Sequence, residues 1–126
     1  MQPYNPDILT RQTNANMTSK EWFLVKAVGD DDMDLAGAGQ LCIGALTNDV
    51  ADGSAGVTKY LPVQIGGVIK VISGGSITAG TLAMSDGSGE AVTATDGNYA
   101  FGIALGTYAD GEIGSFLWAP SYLETT

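Results

Sequence analysis

The sequence contains no histidine and one cysteine, Cys42, in 126 residues. Without histidine, neither a Ser-His-Asp triad nor a Cys-His pair can form, and metal sites that need imidazole are excluded. One cysteine can neither close an internal disulfide nor build a cysteine-rich metal site. We therefore expect no enzymatic activity, no catalytic residues, no bound metal and no cofactor.

Basic residues are also scarce, because five Lys and Arg stand against 14 Asp and Glu, giving a formal net charge of −9. Phosphate backbones and anionic lipids repel such a surface, so nucleic acid and membranes are not expected partners. No run of 18 apolar residues occurs, and the first 20 residues contain no apolar stretch. We predict neither a transmembrane span nor a signal peptide, and synthesis in a cytosol.

Short apolar segments separated by Gly, Asp, Ser and Asn make up most of the chain. The segments are rich in Val, Ile, Leu and aromatics, and several alternate apolar with polar positions, as half-buried strands do. Eight short strands in one open sheet would expose long edges, so a small antiparallel β-barrel or a sandwich is expected. We predict an all-β fold with strands at residues 22–28, 40–47, 57–64, 67–72, 81–85, 91–94, 101–107 and 113–119.

Two Asp-Gly pairs, Asp86-Gly87 and Asp110-Gly111, each join apolar segments. Asp-Gly is favoured where both central residues of a tight hairpin have positive φ. These pairs therefore predict hairpin turns.

Residues 1–21 differ from the rest of the chain, because residues 10–19 are polar and show neither a helical nor a strand period. We interpret them as an extended N-terminal arm, followed by a β domain at residues 22–126. Such an arm becomes ordered only against a partner surface, and Tyr4, Ile8 and Leu9 are its apolar anchors. A frayed chain end is the alternative.

The densest charge cluster is Asp-Asp-Asp-Met-Asp at residues 30–34. Its alternate aspartates match the first ligand positions of a calcium loop, but Leu35 and Leu41 stand where that loop needs Gly and a bidentate Glu. We predict a solvated acidic loop, since like charges stay in water. A weak cation site is the alternative.

Aromatic residues gather at the first and last predicted strands. We expect core packing for Trp22 and Phe116, and Trp22→Ala should then destabilise the fold by about 3–5 kcal/mol. Trp118 shares a strand face with Phe116, and Tyr122 lies beyond Pro120. Trp118 and Tyr122 are candidate interface aromatics.

Three segments combine strands with glycine turns: VQIGGVIKV at 63–71, GTLAMSDGSGEAVT at 80–93, and GIAL at 102–105, which leads into a turn and the last strand. With these segments, residues 22–120 resemble the small capsid decoration (cement) proteins of tailed bacteriophages. The resemblance carries no catalytic residue.

The resemblance implies a compact β-barrel or β-tulip-like domain on the outer capsid surface of a virion. It implies a homotrimer that stabilises the assembled capsid by bridging subunits of the major capsid protein. The arm is then the expected dock, with Arg11 or Lys20 pairing with capsid carboxylates. Deletion of residues 1–21 should leave a folded domain.

The alternative function is a carbohydrate- or receptor-binding β module displayed on a virion or cell surface. Four aromatic residues would then form its stacking surface: Tyr99, Tyr108, Trp118 and Tyr122. A concave aromatic groove would favour this alternative, whereas an ordered arm that binds empty phage heads would favour the cement function.

Overall fold

The computed structural model describes residues 8–13, 17–29, 32–47 and 59–124. These residues form ten β-strands and no helix, which confirms the predicted all-β fold. They are arranged in two five-stranded sheets. The strands are β1 Ile8–Thr13, β2 Leu24–Val28, β3 Asp32–Leu35, β4 Gly44–Leu46, β5 Lys59–Gln64, β6 Val68–Ile72, β7 Leu82–Ser85, β8 Ala91–Thr93, β9 Asn98–Ala104 and β10 Ile113–Leu123.

The first sheet has the order β1-β3-β2-β4-β5, and β5 pairs again with β1 to give a barrel-like ring. Its pairs are antiparallel except for β1 with β3, which meet in one parallel bridge between Gln12 and Asp32. Side chains reinforce this narrow joint. Gln12 Nε2 donates to Asp32 Oδ1 at 2.8 Å, and the buried Thr13 hydroxyl donates to the Met33 carbonyl at 2.8 Å.

The second sheet has the order β6-β10-β9-β7-β8, and all its strand pairs are antiparallel. Ser73, which follows β6 directly, forms an isolated parallel bridge with Ala91 of the edge strand β8. The second sheet therefore also curls towards a ring. The sequence predicted a small barrel or a sandwich, and the structure has two curled sheets.

Each sheet contributes to its own core. The first core is aliphatic: Met17, Val25, Met33, Leu46, Leu61 and Val63. The second core is built around the paired rings of Phe101 and Phe116, whose centroids are 5.2 Å apart. It extends from the second sheet to Leu24 and Ala45 of the first sheet. Fully burying one such large apolar side chain contributes about 1.5–3 kcal/mol to folding, so these two clusters hold the sheets closed and together.

The eight predicted strands are all present, with different ends. Strand β9 is displaced by three residues at both ends, since it spans Asn98–Ala104 rather than 101–107. Strand β10 continues to Leu123, past the predicted end at residue 119. A register shift between Trp118 and Ser121 accommodates Pro120, which has no N–H to donate.

Strand β1 was not predicted, because residues 8–13 were assigned to the extended arm. In the structure β1 pairs with β5 along its whole length, from Ile8 opposite Gln64 to Thr13 opposite Lys59. The pairing attaches this part of the predicted arm to the first sheet, and the division of the chain at residue 22 stays a prediction. Met17, also within the predicted arm, is fully buried in the first core.

Strand β3 occupies part of the segment that was predicted to be an acidic loop. Asp32 and Asp34 flank the buried Met33 on this strand, so the loop prediction is wrong for them. The aspartates keep the strand's outer face in water while Met33 enters the core. Asp30 and Asp31 lie outside the described residues.

Trp22 was predicted to pack in the core, but it is half-buried and belongs to neither core. Its φ of +73° is strained for a bulky residue. Trp22 N donates to the Leu46 carbonyl at 2.8 Å, and the Trp22 carbonyl accepts from Ile72 N at 3.0 Å. Since Leu46 and Ile72 belong to different sheets, the strained backbone of Trp22 joins the two sheets.

The two Asp-Gly turns are present, but each has its positive φ on one glycine only. In the β7–β8 hairpin that residue is Gly89, at +83°, rather than Asp86 or Gly87. The Asp86 carboxylate instead accepts hydrogen bonds from the backbone N–H of Ser88 and Glu90, at 2.8 and 3.0 Å. In the other turn, Gly111 has a φ of +86°.

Candidate docking surfaces

The start of β1 presents the two predicted arm anchors that the structure describes. Ile8 is 48% exposed and Leu9 is 38% exposed, although both are paired with β5 through the backbone. Backbone pairing fixes this segment without burying its side chains, which leaves an ordered apolar edge open to a partner. The third anchor, Tyr4, lies outside the described residues.

The two predicted cationic residues are in different places. Arg11 is half-buried on β1 and already interacts within the chain. Lys20 lies beyond β1, in a turn in which its N–H donates to the Met17 carbonyl at 3.2 Å. The Lys20 ammonium lies 4.7 Å from the centroid of the Phe23 ring, a cation–π contact worth about 0.5–1 kcal/mol at an exposed site.

The four aromatic residues of the alternative function separate into two pairs. Tyr99 and Tyr122, opposite each other on β9 and β10, form an edge-to-face pair with centroids 5.0 Å apart. Tyr122 is 52% exposed, and Tyr99 is exposed as well. These two tyrosines therefore form an aromatic patch at the surface.

Tyr108 and Trp118 pack against the second core instead of joining this patch. The Tyr108 ring lies 5.6 Å from Phe116, and its hydroxyl accepts from Ser115 N at 2.9 Å and donates to the Ser115 carbonyl at 3.2 Å. Trp118 lies 6.3 Å from the ring of Phe101. The sequence did not show which of the four aromatic residues would be buried. For Trp118 the reason is that the register shift in β10 is not visible in the sequence.

Carboxylates gather at one end of the second sheet. Partial burial raises the pKa of Glu90 above its ordinary value, and the negative charges of Asp86 and Asp110 add to the rise, while Lys20 opposes it. The described residues contain no cluster that could hold a metal ion and enclose no pocket. No helix in the described part of the chain is long and apolar enough to cross a membrane.

Sequence reasoning missed an apolar row on the outside of the second sheet. Val68, Leu117, Ile103 and Leu82 lie opposite one another on β6, β10, β9 and β7. The signal was present in the segments VIKVI and IGSFLW, whose apolar residues occupy both faces of a strand. A strand with one buried face needs apolar residues on that face only.

No family model matches the sequence, and no curated protein does either. Among solved structures, the chain is similar to the head fiber gp8.5 N base in bacteriophage phi29, with a TM-score of 0.74 and 20% sequence identity. The similarity covers 94% of this chain and 100% of that chain. The two proteins therefore share a fold over nearly their whole length.

Proposed function

We propose that this chain is a structural protein of a phage virion that binds the outer surface of the assembled capsid. The observation that carries the proposal is the fold shared with a head fiber base of a phage over 94% of this chain. The resemblance of residues 22–120 to capsid decoration proteins supports the same role. The role is structural rather than catalytic, and its partner is the major capsid protein, whose neighbouring subunits it bridges.

The proposed dock is the start of β1, with Ile8 and Leu9 as apolar anchors and Arg11 as a partner of capsid carboxylates. Tyr4, which lies outside the described residues, and Lys20, which lies beyond β1, are the further docking residues that the sequence predicts. The exposure of Ile8 and Leu9 on a paired strand supports this assignment. Their exposed side chains bury apolar area on docking, at little ordering cost because the backbone is already fixed. A homotrimer would engage three such docks on one capsid, so that weak contacts act together.

Co-sedimentation with assembled heads of the source phage that lack this protein tests the proposal. The wild type should bind saturably, and Ile8→Asp combined with Leu9→Asp should weaken binding at least about tenfold, since buried interface anchors dominate affinity. Leu41→Asp, at an exposed leucine outside both sheets, is the matched control. Absence of saturable binding by the wild type would contradict the proposal.

The Tyr99–Tyr122 pair favours a second candidate function, a carbohydrate- or receptor-binding module displayed on the virion or a cell surface. Exposed aromatic rings can stack on the apolar faces of sugars. A glycan array should then show retention that Tyr122→Ala removes. No retention of any glycan by the wild type would contradict the carbohydrate form of this candidate.

A further inference from the structure

The outer row of the second sheet, Val68, Leu117, Ile103 and Leu82, faces away from the protein's cores. Its strand neighbours Ile69, Phe116, Ala104 and Ala83 are buried in the second core, and successive side chains of a strand point to opposite faces. The row crosses four strands, or about 14 Å at the usual strand spacing. It is therefore a continuous apolar stripe on the outside of the molecule.

Two of the four residues of the stripe are open to solvent, and the other two, Leu82 and Ile103, are half-buried. Val68 is exposed and Leu117 is 42% exposed, and the nearby Leu105 and Ile113 are exposed as well. These are four of the ten large apolar residues that are exposed in the described part of the chain. Contiguous apolar surface of this kind marks interaction sites in soluble proteins.

The charge around the stripe is unusual for so acidic a protein. The five strands of the second sheet contain one charged residue, Lys70, and no carboxylate. Lys70 is exposed beside the stripe, opposite Ser115. A partner carboxylate meets no carboxylate on these strands and can pair with Lys70. The strands of a second copy offer no such carboxylate.

The stripe is joined to the proposed dock at the start of β1 through Gln64. This residue is the register partner of Ile8, and its side-chain amide donates to the Val68 carbonyl at 2.9 Å. Gln64 is itself buried. It therefore links the start of β1 to the Val68 end of the stripe through one residue.

We propose that the dock extends from the start of β1 across the outer row of the second sheet. Its occupant is an apolar surface of the capsid protein that places a carboxylate opposite Lys70. This inference rests on the proposed function and names the second part of the contact and the chemistry of the partner.

The test measures binding of the full chain to phage heads that lack this protein. The stripe and Lys70 are substituted in separate variants. Leu117→Glu should weaken binding at least about tenfold. Leu41→Glu, which changes a leucine that is 56% exposed elsewhere, should bind like the wild type. Lys70→Glu should weaken binding and reduce the loss of affinity that added salt causes. Lys70→Arg should leave both the affinity and its salt dependence unchanged.

A zero-length carbodiimide cross-linker supplies a second measurement that needs no folded variant of Leu117. Peptide mapping should show Lys70 joined to an Asp or Glu of the capsid protein in wild-type heads, and Lys70→Arg should lose that link while still binding. Sedimentation velocity of the free chain tests whether a second copy of this chain occupies the stripe instead.

Binding of Leu117→Glu at wild-type strength, or no cross-link from Lys70 to the capsid protein, would overturn the extended dock and leave the proposed function standing. A free-chain dimer that Leu117→Glu dissociates without weakening head binding would also overturn it, because a second copy would then cover the stripe. No saturable binding by the wild type would overturn both proposals.

Discussion

The two sheets divide charge and apolar surface between them. The strands of the first sheet contain five charged residues, Arg11, Lys26, Asp32, Asp34 and Lys59, whereas those of the second contain Lys70 alone. The first sheet closes at its narrow joint through polar contacts around an aliphatic core. The second packs aromatic rings inside and keeps apolar side chains outside. The first sheet thus combines charged positions with the proposed dock at the start of β1, whereas the second sheet offers an outer face whose strands contain one charged residue.

The largest expected effect concerns the aromatic core of the second sheet. Phe116→Ala should lower the free energy of unfolding by about 3–5 kcal/mol, because the side chain is fully buried against Phe101 and Tyr108. Urea unfolding followed by tryptophan fluorescence measures the loss. Tyr122→Ala, at the exposed aromatic pair, is the control and should change little. A loss below about 1 kcal/mol for Phe116→Ala would show that this core does not hold the sheet.

A smaller effect is expected at the polar joint of the first sheet. Thr13→Val keeps the side-chain shape but removes the donor to the Met33 carbonyl, and should cost about 1–3 kcal/mol if that carbonyl stays unpaired. Thr10→Val, at an exposed position of the same strand, is the matched control. If both variants unfold at the same urea concentration as the wild type, the Thr13 hydrogen bond does not contribute to stability. Deletion of residues 1–21 also removes the β1–β5 pairing and the buried Met17, and the prediction that a folded domain remains needs its own measurement.

The buried thiol between the sheets gives a prediction that applies only at alkaline pH. Burial raises the pKa of Cys42 from 9.0 to about 12. The folded state then favours the protonated thiol, so stability falls as the pH rises from 9.0 towards 12. Cys42→Ala should lose that part of the decline in pH-dependent urea unfolding. If Cys42→Ala loses stability with rising pH as the wild type does, other titrating groups cause the decline.

The smallest effect is expected at Glu90, at the end of the second sheet. Its pKa is raised, first by partial burial and then by Asp86 and Asp110, so the fold favours the protonated form. That stability is present at acid pH and is lost as the pH rises through the raised pKa. Glu90→Gln should therefore stabilise the protein at neutral pH by at most about 0.5 kcal/mol, because the side chain lies near the surface. Thermal unfolding at pH 4 and pH 7 should show the gain at pH 7 only.

The second sheet could be predicted from the sequence, because its strands are short apolar segments bounded by local turns such as that at Asp86. The first sheet could be predicted only in part. Strand β1 forms by backbone pairing with β5, a contact between segments far apart in the chain that leaves no apolar period in residues 8–13. Strand β3 alternates Asp32, Met33 and Asp34, but its charges resemble those of a solvated loop.

The candidate surfaces, like the sheets, could be predicted from the sequence only in part. Exposure of Ile8 and Leu9 fits their predicted role as anchors, whereas the register shift in β10 separated Trp118 from Tyr122. The outer row of the second sheet depends on which residues lie opposite one another across four strands. Strand order and register are properties of the folded sheet, so the row emerged only with the structure.

Cryo-electron microscopy of phage heads, reconstructed with and without the bound chain, tests the central claim most directly. The account predicts extra density on the outer capsid surface, touching more than one subunit of the major capsid protein, with the start of β1 and the outer row of the second sheet against the capsid. Heads that look identical with and without saturating protein, or density held by neither surface, would contradict it.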